Sequence, residues 1–354
     1  MEPTANPEQL IQYISQPAFL VKNEIVIEAN DAAKNNQIKI GTSVKEYITL
    51  GTAEYEAYSS GKLYLELKCG RAWVSNCNGI HLFCLDDSYS LPELRAFALA
   101  AQHLRTPLSN AVSGTELLIK DDSLQNDSLK KQLGQINRSL YQLIRTVCNM
   151  SDISYLGTTG SIKTELQNAT SVFSEIFEKA ANLTENAERT LKFRSIKQTV
   201  LCAIDAQLLE RAVLNLISNA IKFSPVNSTI QAALQHIENR LILTIENNIQ
   251  DGITGLYGNA FNRFLRDPGI ECGQIGIGIG MSIISRAVAA HGGTVLLNTS
   301  RKNSVKVMLS IPIRTNIEPV VQSEIVVVGG YTGGIDNYLI ELSDVLPAHF
   351  YKTI

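Results

Sequence analysis

The chain has 354 residues, of which 45% are apolar, and a formal net charge of −3 at pH 7. This length predicts two or three domains, and the nearly balanced charge argues against nucleic acid or an anionic membrane as a partner. No apolar run approaches the ~20 residues that span a bilayer, and no basic-then-apolar leader opens the chain, so we expect a cytoplasmic protein without a membrane span.

Residues 1–88 are predicted to form a small α+β domain, because short extended runs alternate with helical ones. The extended runs lie at residues 18–21, 25–27, 64–67 and 81–84. The opening, from Gln16 to Ser43, resembles that of a PAS domain. That resemblance implies a sensor or dimerisation module, and both small-ligand sensing and a purely structural role remain open.

Residues 89–157 are predicted to form an antiparallel helical hairpin, because apolar residues recur at intervals of three and four in two successive segments. The stripes contain Leu94, Ala98, Ala101, Leu104, Leu108 and Ala111, then Leu129, Leu133, Ile136, Leu140, Leu143, Val147 and Met150. Stripes in both arms favour pairing with a second hairpin. We therefore expect a homodimer built on a four-helix bundle.

Residues 161–315 are predicted to form an α/β sandwich, which makes the whole chain a multidomain α+β protein. The expected helices are Glu165–Asn182, Leu208–Phe223 and Met281–Ala290, and the expected strands are Leu241–Glu246, Thr294–Asn298 and Lys306–Ile311. Residues 316–354 form an extension of unknown role, with a short helix expected at Asp336–Leu346. It could pack onto the preceding domain or dock a partner.

Two separate segments together predict a nucleotide site. On a helix, Asn215, Asn219 and Lys222 share one face at positions i, i+4 and i+7. An amide oxygen can bind Mg²⁺, and the lysine can contact phosphate. Further along, Gly276, Gly278 and Gly280 precede a helix, where absent Cβ atoms and free N–H groups favour phosphate binding. ATP is therefore the first ligand to consider.

These motifs, together with the aromatic pair in residues 261–264, resemble the two-component sensor histidine kinases and their Bergerat-type ATP-binding domain over roughly residues 91–315. The resemblance implies that Asn219 holds Mg²⁺, that Asn215 supports the phosphates and the attacking geometry, and that Lys222 contacts phosphate oxygens. It also assigns Phe264 and the three glycines to the nucleotide site.

The phosphoacceptor motif departs from the family pattern in residues 101–108. In the family, the histidine lies three positions before an arginine and is followed by an acid; here Gln102 and His103 hold those two positions before Arg105. Because one helical step turns a side chain by about 100°, His103 does not simply inherit its neighbour's place.

Two interpretations of this shift are open. A local bulge eased by Pro107 could rotate His103 toward ATP and keep an autokinase. Alternatively, the chain binds nucleotide without autophosphorylation and acts as a pseudokinase, scaffold or phosphatase. Thr106 keeps the position from which the family orients water against a phosphorylated response regulator.

The adenine pocket also departs from the pattern. The family's aspartate is replaced by an asparagine: strand alternation favours Asn247, whereas aligning Gly252 with the family's second glycine favours Asn248. A neutral acceptor weakens the adenine contact by ~1 kcal/mol, so we expect weak ATP binding.

The resulting prediction is a sensor histidine kinase-like protein that uses ATP and Mg²⁺ to phosphorylate His103 and then a response regulator. The alternatives are the nucleotide-binding regulator without autophosphorylation and, third, a kinase or ATPase acting on another acceptor.

Overall fold

The computed structural model describes residues 11–14, 16–85, 91–120, 127–158, 162–185, 188–249, 280–299, 303–315 and 335–352. Its N-terminal part is an antiparallel sheet with two short helices. The strands are β1 (Ala18–Lys22), β2 (Ile25–Ala29), β3 (Ile48–Leu50), β4 (Lys62–Leu67), β5 (Gly70–Cys77) and β6 (Ile80–Leu85), and the helices are α1 (Asp31–Asn35) and α2 (Thr52–Glu56). The four predicted extended runs lie in β1, β2, β4 and β6.

The N-terminal sheet has the order β2-β1-β6-β5-β4, with β3 beside β4. Its core is mainly aliphatic and contains one stacked aromatic pair: Phe19 of β1 and Phe83 of β6 have ring centroids 4.7 Å apart. Asn30 holds the start of α1, because its Oδ1 accepts a hydrogen bond from the N–H of Ala33. The sheet therefore has a core of its own beneath its helices.

Two long helices follow, α3 (Leu91–Lys120) and α4 (Asp127–Thr158). Thr115 Oγ1 donates to Asn137 Oδ1 at 2.6 Å near one end of the pair. Near the other end, the charge of Arg105 acts on the carboxyl group of Asp152. The two helices thus run antiparallel, and the second lies between the first and the C-terminal half of the chain.

The C-terminal half is an α/β unit, which confirms the mixed α+β class. Its elements are β7 (Glu165–Asn168), α5 (Ala169–Thr184), β8 (Thr190–Arg194), β9 (Leu201–Ile204), α6 (Ala206–Phe223), β10 (Thr229–Ile237), β11 (Arg240–Asn248), α7 (Gly280–Ala290), β12 (Thr294–Asn298) and β13 (Ser304–Pro312). Burial alternates along β11 and β13, so each strand turns one face to the helices.

The helix predicted to begin at Glu165 begins four residues later. Residues 165–168 form β7, which pairs with β9 in a separate two-stranded sheet. Asn168 then caps α5, its Oδ1 accepting from the N–H of Ser171. An asparagine at this position ends the extended run and starts the helix.

The two halves share one sheet. β4 of the N-terminal sheet pairs antiparallel with β12, with Tyr64 opposite Val295 and Lys62 opposite Leu297. The combined order is β2-β1-β6-β5-β4-β12-β13-β11-β10-β8. An ion pair between Glu54 of α2 and Arg240 of β11 crosses the same junction.

The end of the described chain packs against helices rather than strands. The predicted helix at Asp336–Leu346 is shorter than expected: α8 spans Asn337–Glu341, and Asp336 caps it by accepting from the N–H of Tyr338. A 3₁₀ turn at Ala348–Lys352 ends the described residues. Both elements lie against α4, and α8 also contacts α6.

Among the helices that the structure describes, none has both the length and the apolar character needed to cross a bilayer.

Replacement of Gly61 is expected to weaken the junction between the two halves. Gly61 has φ +93°, and a Cβ there would lie 2.4 Å from the carbonyl oxygen of Leu297. Gly79, with φ +84°, has no atom within 4 Å of that position. Both alanine variants lose about 1–2 kcal/mol of unfolding free energy, because alanine disfavours the left-handed backbone conformation. Gly61→Ala also displaces β12.

Chemical denaturation and hydrogen exchange measure this difference. Gly61→Ala should unfold more easily than Gly79→Ala and should speed exchange in β4 and β12. Equal stabilities and equal exchange in the two variants would contradict the described junction.

Candidate nucleotide site

Helix α6 carries the polar face predicted from the sequence. It begins at the cap Asp205, whose carboxylate accepts from the N–H of Leu208 at 3.0 Å. Its apolar residues pack into the main core, which leaves Asn215, Asn219 and Lys222 on another face. Asn215 is buried, whereas Asn219 and Lys222 are partly buried.

A buried histidine ties α6 to α7. His291 Nε2 accepts from the N–H of Asp205 at 3.0 Å, and Nδ1 lies 2.7 Å from the carbonyl oxygen of Ala287, to which it donates. Burial lowers the pKa of His291, so the ring is neutral. This residue fixes the start of the asparagine-bearing helix against the end of α7.

The other end of α7 brings a predicted glycine to the asparagines. A Cβ on Gly280 would lie 3.2 Å from Asn215 Oδ1 and 3.8 Å from Asn219 Nδ2. Glycine therefore lets the backbone at the start of α7 approach both amides. Gly252, Phe264, Gly276 and Gly278, which were also assigned to the site, lie outside the described residues.

The two candidates for the adenine contact lie on opposite faces of β11. Asn247 is buried on the face that the helices cover, and its Nδ2 donates to the carbonyl oxygen of Asn248 at 2.9 Å. Asn248 itself is exposed. The geometry thus favours Asn247 as the residue that faces the helices.

The phosphoacceptor region lies on a regular part of α3. Gln102, His103 and Thr106 are exposed, and Arg105 is partly buried. The helix stays regular through Pro107, and the described helix has no bulge that would rotate His103. At about 100° per residue, Gln102 lies near the face of Arg105, whereas His103 points about 200° away.

Sequence reasoning missed an ionic network on the face of Asn215. Glu341 Oε2 accepts from Asn215 Nδ2 at 2.9 Å, and Asn215 Oδ1 accepts from Arg145 Nη2 at 3.0 Å. Arg145 also pairs with Glu341 at 3.2 Å and with Asp344 at 2.8 Å. The predicted phosphate ligand Lys222 lies 3.4 Å from Asp344.

The network continues into the interior through Arg211 of α6. Arg211 contacts Asp152 of α4 and lies 3.3 Å from Glu341 Oε1. Burial raises the pKa of Asp152 to about 6, against the effect of Arg211. The pKa of Arg211 is raised: burial opposes its charge, but Asp152 and Glu341 outweigh that effect.

Each of the four residues that complete this network is more than 50 positions from its partner on α6, so no local periodicity joins them. One signal was present: Glu341 stands between Ile340 and Leu342 in an apolar run, and a carboxylate in a buried run needs a basic partner.

The neutral His291 gives a pH dependence of stability. Its pKa is below the ordinary value of 6.5 in the folded state, so the unfolded chain binds more protons as the pH falls. The contribution of His291 is therefore fully present above pH 6.5 and is lost as the pH falls through the folded pKa.

We expect His291→Gln to reduce the slope of the free energy of unfolding between pH 7.5 and 5.5, and to cost about 1–3 kcal/mol at pH 7.5 from lost buried hydrogen bonds. Denaturant titrations at several pH values measure both quantities. An unchanged slope below pH 6.5 would refute this role of His291.

Comparison with known proteins finds a family match for part of this chain. Residues 204–315 match the family described as histidine kinase-, DNA gyrase B-, and HSP90-like ATPase. The hybrid signal transduction histidine kinase D of Dictyostelium discoideum is 29% identical over 275 residues, which cover 73% of this chain and 17% of that protein. The probable sensor kinase SilS of Salmonella typhimurium is 30% identical over 222 residues, which cover 60% of this chain and 43% of that protein.

Among solved structures, full-length ShkA in complex with AMPPNP is 18% identical and covers 64% of this chain and 47% of that one, with a TM-score of 0.49. The chain spans less than half the length of these relatives.

Proposed function

We propose that this chain is an ATP-dependent signalling enzyme. The premise is that it is a relative of the two-component sensor histidine kinases and has an ATPase domain of their type. It phosphorylates a histidine side chain and passes the phosphoryl group to a response regulator. The observation that carries this proposal is the face of α6, which holds Asn215, Asn219 and Lys222 and whose two asparagines meet the glycine at the start of α7.

The chemistry of the residues fits a magnesium-bound nucleotide. Asn219 is partly exposed and offers an amide oxygen to Mg²⁺, which prefers oxygen ligands. Lys222 and Asn215 would hold phosphate oxygens, and the missing Cβ of Gly280 lets the start of α7 lie close to Asn215 and Asn219. Bound ATP would supply the γ-phosphoryl group that an imidazole accepts.

The helices α3 and α4 are proposed to form the dimerisation hairpin. Several large apolar side chains on them are exposed in the single chain, and their burial would stabilise a homodimer. They are Leu99, Leu104, Leu117, Leu118, Ile136 and Leu143. The antiparallel sheet at residues 18–85, with its short helices, supports a PAS-like sensor module ahead of the hairpin.

The first candidate acceptor is His103, an exposed imidazole on α3. Thr106, one turn further along, would orient water against a phosphorylated response regulator. A second candidate function is favoured by one observation: Gln102, not His103, lies near the face of Arg105. In that case the chain binds nucleotide and regulates its partner without phosphorylating itself.

Labelling with γ-labelled ATP and Mg²⁺ distinguishes the two candidates. The kinase proposal predicts acid-labile label on the wild-type protein, its loss in His103→Gln, and its retention in the control His236→Gln, which changes a histidine on β10. Unchanged labelling of His103→Gln would exclude His103 as the acceptor.

The regulator proposal predicts calorimetric binding of Mg²⁺–nucleotide with no label on the wild type. Gln102→His should then gain acid-labile label, because its imidazole lies near the face of Arg105. If no form of the protein binds nucleotide, both functions fail.

A further inference from the structure

The C-terminal segment (residues 335–352) lies on the residues that would bind phosphate. Two of its carboxylates reach α6: Glu341 accepts from Asn215 Nδ2 at 2.9 Å, and Asp344 lies 3.4 Å from Lys222 Nζ. Asn215 is only 1% exposed. A nucleotide therefore cannot reach Asn215 while the segment stays in place, and it would have to displace Asp344 to pair with Lys222.

The charges explain why acidic residues hold this position. Three cations, on Arg145, Arg211 and Lys222, meet three carboxylates, and two of the three carboxylates come from the C-terminal segment. Removing only Glu341 and Asp344 would leave an excess of positive charge in a largely buried space, which is costly. A magnesium-bound triphosphate is also anionic and would compensate the same cations through charge-assisted hydrogen bonds.

The same segment holds the helical hairpin. Arg138 of α4 donates to the carbonyl oxygens of Ser343 and Asp344 at 3.0 and 2.9 Å, and Asn137 Nδ2 donates to the carbonyl oxygen of Tyr351. Arg145 of α4 contacts Glu341, Asp344 and Asn215. Displacement of the segment from α6 would therefore also remove the bridge that Glu341 forms between Arg145 of α4 and Arg211 of α6.

Apolar side chains also attach the segment to the helices beneath it. Those that are at least nine-tenths buried are Tyr338, Leu339, Ile340, Leu342, Leu346 and Tyr351. Lys179 of α5 also lies over the ring of Tyr338, 5.5 Å from its centroid. The segment is thus held in place by apolar packing as well as by ion pairs.

We infer that residues 335–352 are an autoinhibitory element whose Glu341 and Asp344 compete with nucleotide phosphates for Asn215 and Lys222. This inference rests on the proposed nucleotide site. Only molecules in which the segment has left Asn215 and Lys222 can bind nucleotide there. When such molecules are a minor fraction, the apparent affinity is the intrinsic affinity multiplied by that fraction. Nucleotide binding and loss of the Glu341 bridge between α4 and α6 are therefore coupled.

The first test compares two matched substitutions by calorimetry with Mg²⁺ and AMPPNP. Asp344→Asn removes a charge next to Lys222 at a partly exposed position, so the fold should tolerate it. Asp336→Asn removes the same charge from the same segment but keeps an oxygen that can cap α8. We expect Asp344→Asn to bind about tenfold more tightly than wild type, and Asp336→Asn to bind like wild type.

The second test needs no substitution. Hydrogen exchange of amides 338–346 in the wild-type protein should become faster when Mg²⁺–AMPPNP is added. Equal affinities in the three proteins, with exchange unchanged or slower, would overturn the inference while leaving nucleotide binding intact. Absence of binding in all three would overturn the proposed function, and the inference with it.

Discussion

Arg211 is the constraint around which the centre of this molecule is arranged. It is 4% exposed, and an ionised guanidinium in that position requires carboxylates within contact distance. No element of the structure supplies both of them: Asp152 comes from α4 and Glu341 from the C-terminal segment. Helices distant in sequence are therefore held together by one buried charge on α6.

The buried charges specify an arrangement more than they add stability. Desolvating several ions offsets much of their attraction, and apolar packing provides the larger stabilisation. What the ions determine is which side chains meet. A shifted register of α4 or of the C-terminal segment would leave a charge without its partner, so alternative packings are disfavoured.

The elements of the fold follow from local pattern, but their partners do not. Alternation identified β11 and β13 within two residues of each end, and the spacing of Asn215, Asn219 and Lys222 placed them on one helix face. The start of α5 was wrong because Asn168 acts as a cap that the apolar pattern does not register. The pairing of β4 with β12 and the contact of Glu341 with Asn215 join distant positions, for which a single sequence contains no periodic signal.

The pairing of β4 with β12 also determines how the C-terminal half can be handled in isolation. An edge strand has a row of unpaired main-chain donors and acceptors, which can pair with strands of other chains. β4 covers that row on β12 within one chain. A C-terminal half produced without residues 11–85 would leave β12 as an unpaired edge strand, and we expect such a protein to self-associate by adding strands at that edge.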